Sequence, residues 1–326
     1  MMGKEFVAIS ILMPCYNAGK YLYRSVGSIQ ASTIQDFEIL CLDDGSTDDT
    51  YKILQELSEK DDRIKVIRRQ EKGYAVTMNE LLDRAQGEYV LNVDPDDWIE
   101  PTMLEKLLDY MEKDVDFVKC GFIFELADGQ QKYYYTLQPA EFCPRKLPAK
   151  SKMEFYVSQI AIWTCLIRRS FIERHHIRLN ETEGAAYQDT AFVFYINTLA
   201  EKVRLIPDTL YHYNKTNANA STASPRYPFA PSVEYRKMAQ WCMDNPAYGI
   251  WVRSVLCRSR FGSYCWNMAR IKEEDRLEFA KMAQKDFQDD FDFIDDRMFT
   301  EDEYKAYLTA IRKPEDYVKM FKGVGR

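Results

Sequence analysis

The chain has 326 residues, enough for about two domains, and its 46% hydrophobic and 29% charged residues are ordinary for a globular protein. A net charge of −7 argues against nucleic-acid binding, which needs an excess of Lys and Arg. Eight cysteines without a Cys-x-x-Cys pair exclude a zinc site or disulfide framework and indicate reduced thiols in the cytoplasm. Since no apolar run reaches the ~20 residues that span a bilayer, we expect a soluble protein, at most peripheral at the inner face of the membrane.

The first 115 residues alternate between short apolar runs and segments of helical period. The runs VAISILMP, FEILCLDD, RIKVIR and EYVLNVD predict four strands. The segments between and after them predict four helices, namely GKYLYRSVGSIQAS, a stretch beginning at Thr47, AVTMNELLDRAQ and PTMLEKLLDYMEK. Because the strands are almost continuously apolar, these β–α repeats indicate an α/β, Rossmann-like and mostly parallel sheet with helices on both faces.

The pattern after residue 115 is less regular. FVKCGFIFELADGQQKYYY predicts a hairpin that turns at Asp128-Gly129, LQPAEFCPRKLPAK a proline-bearing loop, and AIWTCLIRRSFIERHH a strand with a short helix. YQDTAFVFYINTLA predicts a helix and KVRLIPDTLYHY an extended segment. The prolines of SPRYPFAPS mark a boundary, and the remainder is helical in period. We therefore predict a sheet domain at 1–222, with halves at 1–115 and 116–222, and a helical region at 223–326.

Two carboxylates stand where the second predicted strand ends, in ILCLDDGSTDDT. Sheets of this kind bind ligands in the crevice beyond the carboxyl ends of their strands, where Asp43 and Asp44 would lie. Ser46 or Thr47 can cap the following helix, and the acids at 48–49 favour its positive end, so capping needs neither earlier Asp. We expect at least one of Asp43 and Asp44 to bind a ligand.

A second acidic cluster, Asp94, Asp96 and Asp97, follows the fourth predicted strand in VLNVDPDDWIEP. On a shared sheet edge this cluster can face Asp43 and Asp44. The two clusters repel each other unless a cation joins them, and hard oxygen ligands call for Mg²⁺ or Mn²⁺. Such ions bridge to a substrate's phosphates, so the pattern predicts a metal site for a phosphate-bearing ligand.

Several phosphate chemistries are excluded by their missing motifs. The chain has neither GxxxxGK followed by Ser or Thr nor GxGxxG, so P-loop and dinucleotide sites are absent. A haloacid-dehalogenase phosphatase needs an Asp where Leu42 stands. Sugar nucleotidylyltransferases carry a glycine-rich loop where the chain has MPCYNAGKYL, so nucleotidyl or sugar-phosphate transfer is a disfavoured alternative.

The combination ISILMPCYNAGKYLYRSVGSI, FEILCLDDGSTDDT and GEYVLNVDPDDWIEPTML resembles the family 2 inverting glycosyltransferases, which have the GT-A fold. The similarity continues through IWTCLIRRSFIERHHIRLNE, YQDTAFVFY and IPDTLYHYN, and so covers roughly residues 6–222. It implies that 1–222 is the catalytic domain, with a nucleotide-binding half at 1–115 and an acceptor half at 116–222.

The resemblance also implies roles for individual residues. The implied donor-nucleotide residues are Pro14, Tyr16, Asn17, Asp43, Asp44 and Asp94. Asp96, together with Asp94, would ligate Mn²⁺ or Mg²⁺, and Asp189 in YQDTAF falls where the family keeps its general base. Trp163 and Gln188 would lie on the acceptor side.

The implied activity is metal-dependent, inverting transfer of a hexose-type sugar from a nucleotide sugar, UDP-linked by implication, to a glycan or lipid-linked glycan in surface polysaccharide synthesis. Tyr16 would contact the nucleobase face, while Asp44 and Asp43 would accept from uracil and ribose. A single displacement with one base inverts the anomeric carbon, because no covalent nucleophile takes part.

Three positions depart from the family pattern. The usual Glu before the catalytic Asp is Gln188, which should lower the pKa of the base relative to a carboxylate pair. The Arg that commonly precedes the Asn of the third helix is Met78, and Cys165 replaces a frequent Lys. The alternative hypothesis is therefore a catalytically weak or inactive nucleotide-sugar-binding protein that retains the fold.

Two further features carry weaker signals. His212 in LYHYN could be a third metal ligand, although a half-buried His in an extended segment is more often structural. Residues 249–272 contain five basic residues, four aromatic side chains and no acid. Such a helix can lie on an anionic membrane, form a homodimer surface, or sit in the core with its arginines at the margin, and its many apolar residues favour burial.

Overall fold

The computed structural model describes residues 7–136, 140–158, 161–183, 187–217 and 227–321. The chain divides into two compact units, each made of three segments. Unit 1 comprises Met1–Pro144, Ala161–Glu181 and Leu199–Ala218, and unit 2 comprises Arg145–Ile160, Thr182–Thr198 and Asn219–Arg326. The sequence-based boundary at 222 lies outside the described residues.

Unit 1 contains one mixed sheet of ten described strands. Their bounds are β1 Ile9–Cys15, β2 Phe37–Asp44, β3 Ile64–Arg69, β4 Tyr89–Asn92, β5 Trp98–Ile99, β6 Phe117–Glu125, β7 Gln131–Tyr134, β8 Glu141–Phe142, β9 Cys165–Arg168 and β10 Val203–Asn214. They are ordered β3-β2-β1-β4-β9-β6-β10-β5, with β7 paired to β6 and β8 to β10. The pairs among β3, β2, β1 and β4 and the pair β6–β10 are parallel, and the others are antiparallel.

The described helices lie on this sheet in unit 1 and on one another in unit 2. Their bounds are α1 Leu22–Gln30, α2 Thr50–Ser58, α3 Tyr74–Arg84, α4 Met103–Asp109, α5 Ala149–Ser158, α6 Arg169–Arg174, α7 Gln188–Leu199, α8 Ala230–Asp244, α9 Ile250–Arg270, α10 Glu273–Asp289, α11 Glu301–Arg312 and α12 Pro314–Lys319. None of these helices is both long enough and apolar enough to cross a bilayer.

The central strands explain why the apolar runs of the sequence do not alternate. Every residue of β1 and of β2 is buried, because these strands pair on both sides and helices α2 and α3 pack against them. All predicted strands of the first 115 residues form in parallel register, and the hairpin turns at Asp128-Gly129 as expected. The predicted α/β, mostly parallel sheet and the helical C-terminal region are confirmed.

One local prediction is wrong, and one helix was missed. Helix α2 begins at Thr50 instead of Thr47, because Ser46 and Thr47 bond residue 17 and the Asp48 carboxylate accepts from the Thr50 amide. Helix α5 was not predicted at all. Its residues AKSKMEFYVS carry only a weak helical period, so packing within unit 2, against α9, decides their conformation.

Most of the basic helix α9 is buried in unit 2, which agrees with the core-helix interpretation of 249–272, and the membrane interpretation stays a prediction. The guanidinium groups of Arg253 and Arg260 reach Asp290 at 3.0 and 2.8 Å, and Arg258 pairs with Glu303. All three arginine side chains are buried. Because their charges are neutralised inside the unit, they are not available to anionic lipid, and the core-helix interpretation describes their packing.

The cysteines agree with the expectation of reduced thiols. All eight are free, and six are buried. Burial raises the pKa of Cys120 to about 12, so that thiol stays protonated and unreactive at neutral pH.

Candidate active site

The Asp44 carboxylate anchors the loop that follows β3. Its Oδ1 accepts from the Lys72 amide at 3.0 Å and from Arg69 Nε at 2.8 Å, and its Oδ2 accepts from the Gly73 amide at 2.8 Å. The side chain is nearly fully buried. A carboxylate that accepts from three donors in and beside one loop holds that loop in place. Asp44 therefore determines the shape of the loop, which forms a wall of the adjacent cleft.

That wall belongs to an open cleft of about 500 Å³ at the carboxyl ends of β2 and β3. Its lining residues are Gly45, Arg68, Arg69, Gln70 and Glu71. Gly45 has a φ of +82°, and a Cβ there would stand 2.8 Å from the Glu71 amide nitrogen, so only glycine lets the two loops approach. The cleft is where an open α/β sheet is expected to bind its ligand.

Sequence reasoning missed the two arginines of this cleft. Arg68 Nε lies 3.2 Å from Asp43 Oδ2, and Arg69 also bonds Glu80 of α3. The parallel register places Arg68 beside Asp43 and Arg69 beside Asp44. The sequence contained a signal for them, since Arg68 ends the predicted strand RIKVIR and Arg69 follows it, just as Asp43 and Asp44 end the neighbouring predicted strand.

The PCYN segment forms the other side of the strand ends. The Tyr16 ring is 46% exposed and its hydroxyl donates to Glu71 at 3.3 Å, so a ring face is accessible beside the cleft. Asn17 has a φ of 49°, and its Oδ1 accepts from the Thr47 amide at 2.8 Å, joining this loop to the end of β2. Pro14 is buried in β1 opposite Leu42, so its side chain offers a nucleotide no exposed surface, contrary to expectation.

The second acidic cluster forms a tight loop after β4. Asp97 is 2% exposed, and its carboxylate accepts from the Tyr211 hydroxyl at 2.7 Å and from the Asn214 amide at 2.8 Å. The same hydroxyl accepts from the Asp94 amide at 3.1 Å. Asp96 Oδ2 accepts from Asn217 Nδ2 at 2.7 Å. Strand β10 therefore fixes the loop through Asp97 and the Asp94 backbone, while the side chains of Asp94 and Asp96 remain half-buried.

Negative charge is concentrated in this loop. Burial raises the pKa of Asp97 well above its usual value, and repulsion from Asp96 and Asp94 raises it further. The two hydrogen bonds from β10 oppose that shift. Asp97 thus serves as the internal brace of the loop, and the outer carboxylates carry its accessible charge.

Removing the Tyr211 hydroxyl tests this brace. We expect Tyr211→Phe to lower the free energy of unfolding by about 1–3 kcal/mol, because a buried carboxylate and a backbone amide lose a partner. Urea unfolding measures the change, with Tyr23→Phe as the control, since the Tyr23 hydroxyl is exposed and bonds only Glu56 among the contacts described for it. Equal stability of the two variants would contradict the brace.

The oxygen set around Asp94 and Asp96 fits a hard divalent cation. Asn92 Nδ2 donates to Asp94 Oδ1 at 3.0 Å, and Asn92 Oδ1 is buried without a hydrogen-bond partner among the described residues. The described chain brings no three His, Cys, Asp or Glu side chains to one point. Mg²⁺ and Mn²⁺ do not need a third, because they take one or two carboxylates, waters and substrate phosphates.

His212 does not fit the metal role considered for it. Its Nδ1 lies 2.7 Å from Glu125 Oε1 and its Nε2 lies 2.9 Å from Glu100 Oε1, so both ring nitrogens are engaged by carboxylates. The ring also stacks on Trp98 at 5.1 Å. Both ring nitrogens already have a carboxylate partner, and in this structure His212 holds three segments together.

Trp163 packs against a residue that holds the acidic loop. The side chain is 8% exposed and packs on Tyr211 and Phe122, with ring centroids 4.4 and 4.8 Å apart. Its expected place on the acceptor side stays a prediction. Through Tyr211 the Trp163 side chain stabilises the loop at Asp97.

Asp189 stands in the first turn of α7 in unit 2. It is half-buried, and its Oδ1 accepts from the Thr190 amide at 2.8 Å. Burial raises the pKa of Asp189 above its usual value, and the Thr190 amide opposes that rise. A raised pKa makes a carboxylate a stronger base, which is what proton abstraction from a hydroxyl requires.

The residues before Asp189 fix its position. Tyr187 has a φ of +71°, which is strained for a bulky residue, and its hydroxyl donates to Asn267 of α9 at 3.1 Å. Gln188 is buried, and its amide donates to the Thr182 carbonyl at 3.3 Å. Gln188 is thus a buried anchor of the turn in unit 2, and its proposed place on the acceptor side stays a prediction.

Comparison with known proteins extends these observations. Residues 10–176 match the sequence profile described as Glycosyl transferase family 2. The putative glycosyltransferase EpsH of Bacillus subtilis (strain 168) is 31% identical over 211 residues, 64% of this chain and 61% of EpsH. Glycosyltransferase GlyG of Streptococcus pneumoniae serotype 4 is 30% identical over 221 residues, 65% of this chain and 72% of GlyG. The chain thus spans less than two thirds of EpsH.

Solved structures show the same fold. S. aureus TarS 1-349 in complex with UDP-GlcNAc superposes with a TM-score of 0.76 at 18% identity, covering 97% of this chain and 91% of that one. The mannosyltransferase PcManGT from Pyrobaculum calidifontis, in complex with GDP-Man and Mn²⁺, gives 0.54 at 13% identity, covering 98% and 86%. The expected GT-A fold is confirmed. Since the profile spans more than half of the sequence and GlyG is matched over most of its length, the chain belongs to glycosyl transferase family 2, a family of sugar-transferring enzymes.

Proposed function

We propose that this protein is a metal-dependent, inverting glycosyltransferase that moves a sugar from a UDP-sugar to a glycan or lipid-linked glycan in surface polysaccharide synthesis. The observation that carries the proposal is that the cleft beside Tyr16 and the acidic loop at 94–97 both follow the carboxyl ends of the parallel strands β2, β3 and β4, and so lie on one edge of the sheet of unit 1. TarS with bound UDP-GlcNAc supports the same donor class.

The cleft suits a nucleotide. The exposed Tyr16 ring offers a face for base stacking, and the half-exposed Arg68 side chain can donate to a ribose or phosphate oxygen, whereas Arg69 is held in the wall by Asp44 and Glu80. Asp43 and Asp44 hold these arginines and the following loop in place, and a lone pair left on either carboxylate would accept from the base or ribose.

The acidic loop suits the diphosphate. Asp96 and Asp94 would hold Mn²⁺ or Mg²⁺, which offsets the charge of a nucleoside diphosphate leaving group. The chain's own contribution is to keep these two carboxylates oriented, through Asn217, Asn92 and the brace at Asp97.

Asp189 would remove the proton of the acceptor hydroxyl. Its raised pKa strengthens it as a base, and its place at the start of a helix held by Tyr187 and Gln188 limits its motion. Since one base and no covalent nucleophile are required, the proposed product has the inverted configuration.

Thermal stability against UDP, GDP, dTDP and CMP, each with and without Mn²⁺, tests the donor site. We expect a rise in Tm with UDP that requires Mn²⁺, because binding to the native state alone stabilises it. A shift with none of the four nucleotides would contradict the proposal. A shift with UDP but no transfer or hydrolysis of any UDP-sugar would instead favour an inactive binding protein.

A further inference from the structure

A continuous row of contacts crosses the sheet of unit 1 from the acidic loop to the edge strand β7. We call this row the aromatic strip. Its members are Trp98, His212, Glu125, Gln131, Tyr133 and Tyr135.

The strip begins beside the proposed metal ligands. Trp98 follows Asp96 by two residues, and the Arg24 guanidinium lies 3.4 Å from the centre of its ring. The His212 ring stacks on the Trp98 ring, with the ring centroids 5.1 Å apart and the ring planes 9° from parallel. The Arg24 guanidinium interacts electrostatically with the carboxylates of Asp96, Asp97 and Glu125. This end of the strip is therefore close to the acidic loop.

The middle of the strip consists of hydrogen bonds between strands. Glu125 Oε1 lies 2.7 Å from His212 Nδ1 and accepts from Gln131 Nε2 at 2.8 Å, so one carboxylate oxygen joins β10, β6 and β7. Gln131 Oε1 in turn accepts from the Tyr133 hydroxyl at 2.8 Å. These bonds fix the side chains in one orientation before any ligand arrives.

The far end presents two ring faces to solvent. Tyr133 and Tyr135 are 47% and 65% exposed, and their rings stack at 6.3 Å and 17°. Tyr134 between them faces the other way and stacks on Phe122 at 4.8 Å. Strand β7 pairs with β6 alone among the described strands, so this end lies at an edge of the sheet.

This combination suits a saccharide chain. A pyranose has an apolar C–H face that packs on an aromatic ring, and hydroxyls at its rim that bond amides and carboxylates. Side chains two residues apart on a strand repeat at about 6.6–6.8 Å, which allows successive rings to meet successive sugars. Pre-ordered side chains also reduce the entropy lost on binding.

We propose that the exposed end of the aromatic strip binds the acceptor as an extended oligosaccharide, with its sugars on Gln131, Tyr133 and Tyr135, while the buried His212 and the half-buried Trp98 connect that end to the acidic loop. The inference rests on the proposed function and adds to it the substrate class, because a strip of this length favours a multi-residue glycan over a monosaccharide acceptor. Its continuity with the acidic loop distinguishes it from an isolated exposed patch.

Titration calorimetry with UDP and Mn²⁺ present tests the strip. The probes are β-linked oligosaccharides of glucose and of N-acetylglucosamine with one to six residues. We expect affinity to increase with length up to about four residues, and the double variant Tyr133→Ala/Tyr135→Ala to lose that increase by ~10-fold. Tyr133→Phe/Tyr135→Phe keeps both rings and should retain most of it.

Tyr23→Ala is the matched control, since Tyr23 is 53% exposed but bonds Glu56 on α2 instead of joining the strip. Affinity for no probe, affinity independent of length, or equal affinity in the Ala double variant would overturn the inference. So would a dimeric wild type that becomes monomeric in that variant, because the edge strand would then be a self-interface. The nucleotide-induced shift in Tm judges the proposed function separately.

Discussion

Asp96→Asn is expected to abolish the Mn²⁺-dependent part of the UDP-induced shift in Tm and to lower sugar transfer at least ~10²-fold. An amide has no net charge to offer the cation, whereas the half-buried Asp96 carboxylate stands in a loop already crowded with negative charge. The measurements are Tm against UDP with and without Mn²⁺, and transfer from a radiolabelled UDP-sugar.

Asp36→Asn is the matched control for that variant, because Asp36 is exposed just before β2 and loses the same charge. The control should behave as the wild type in both assays. A Mn²⁺-dependent shift of wild-type size in Asp96→Asn would remove Asp96 from the metal site.

Asp189→Asn is expected to lower transfer by ~10²–10⁴-fold while leaving the UDP-induced shift in Tm intact. The amide cannot take up the acceptor's proton. Because burial raises the pKa of Asp189, its charged form is disfavoured in the folded state. The free-energy cost of holding the charged Asp189 in the folded state is present at pH values above the pKa that Asp189 has in the unfolded chain. At pH 7 the neutral Asp189→Asn variant should therefore be no less stable than the wild type.

The same shift predicts a pH dependence. The base acts only when deprotonated, so transfer should fall as the pH falls through the pKa of Asp189, and this acid limb should lie above the ordinary Asp value of about 3.9. Gln188→Glu places a second carboxylate beside it and should move the limb upward by like-charge repulsion. Unchanged transfer in Asp189→Asn, or an acid limb that Gln188→Glu leaves in place, would exclude Asp189 as the base.

The sequence by itself determined the layers of the fold and the positions of the acids. Unbroken apolar runs in β1 and β2 require strands covered on both faces, and acids at the ends of such strands must meet at one sheet edge. Family membership followed from the motifs on those strands. These properties are local, since each depends on a few consecutive residues and their period.

Only the tertiary structure decided which of those side chains are exposed. Pro14 and Trp163 are buried, Asp44 is held by a loop 25–29 residues away, and His212 is held between two glutamates. Three arginines of α9, Arg253, Arg258 and Arg260, face carboxylates from later segments of unit 2 instead of solvent. Helical period cannot reveal this, because a buried ion pair depends on residues 30–45 positions apart. Burial and partner choice are long-range properties of packing, and they determine which of the predicted acids can meet a ligand.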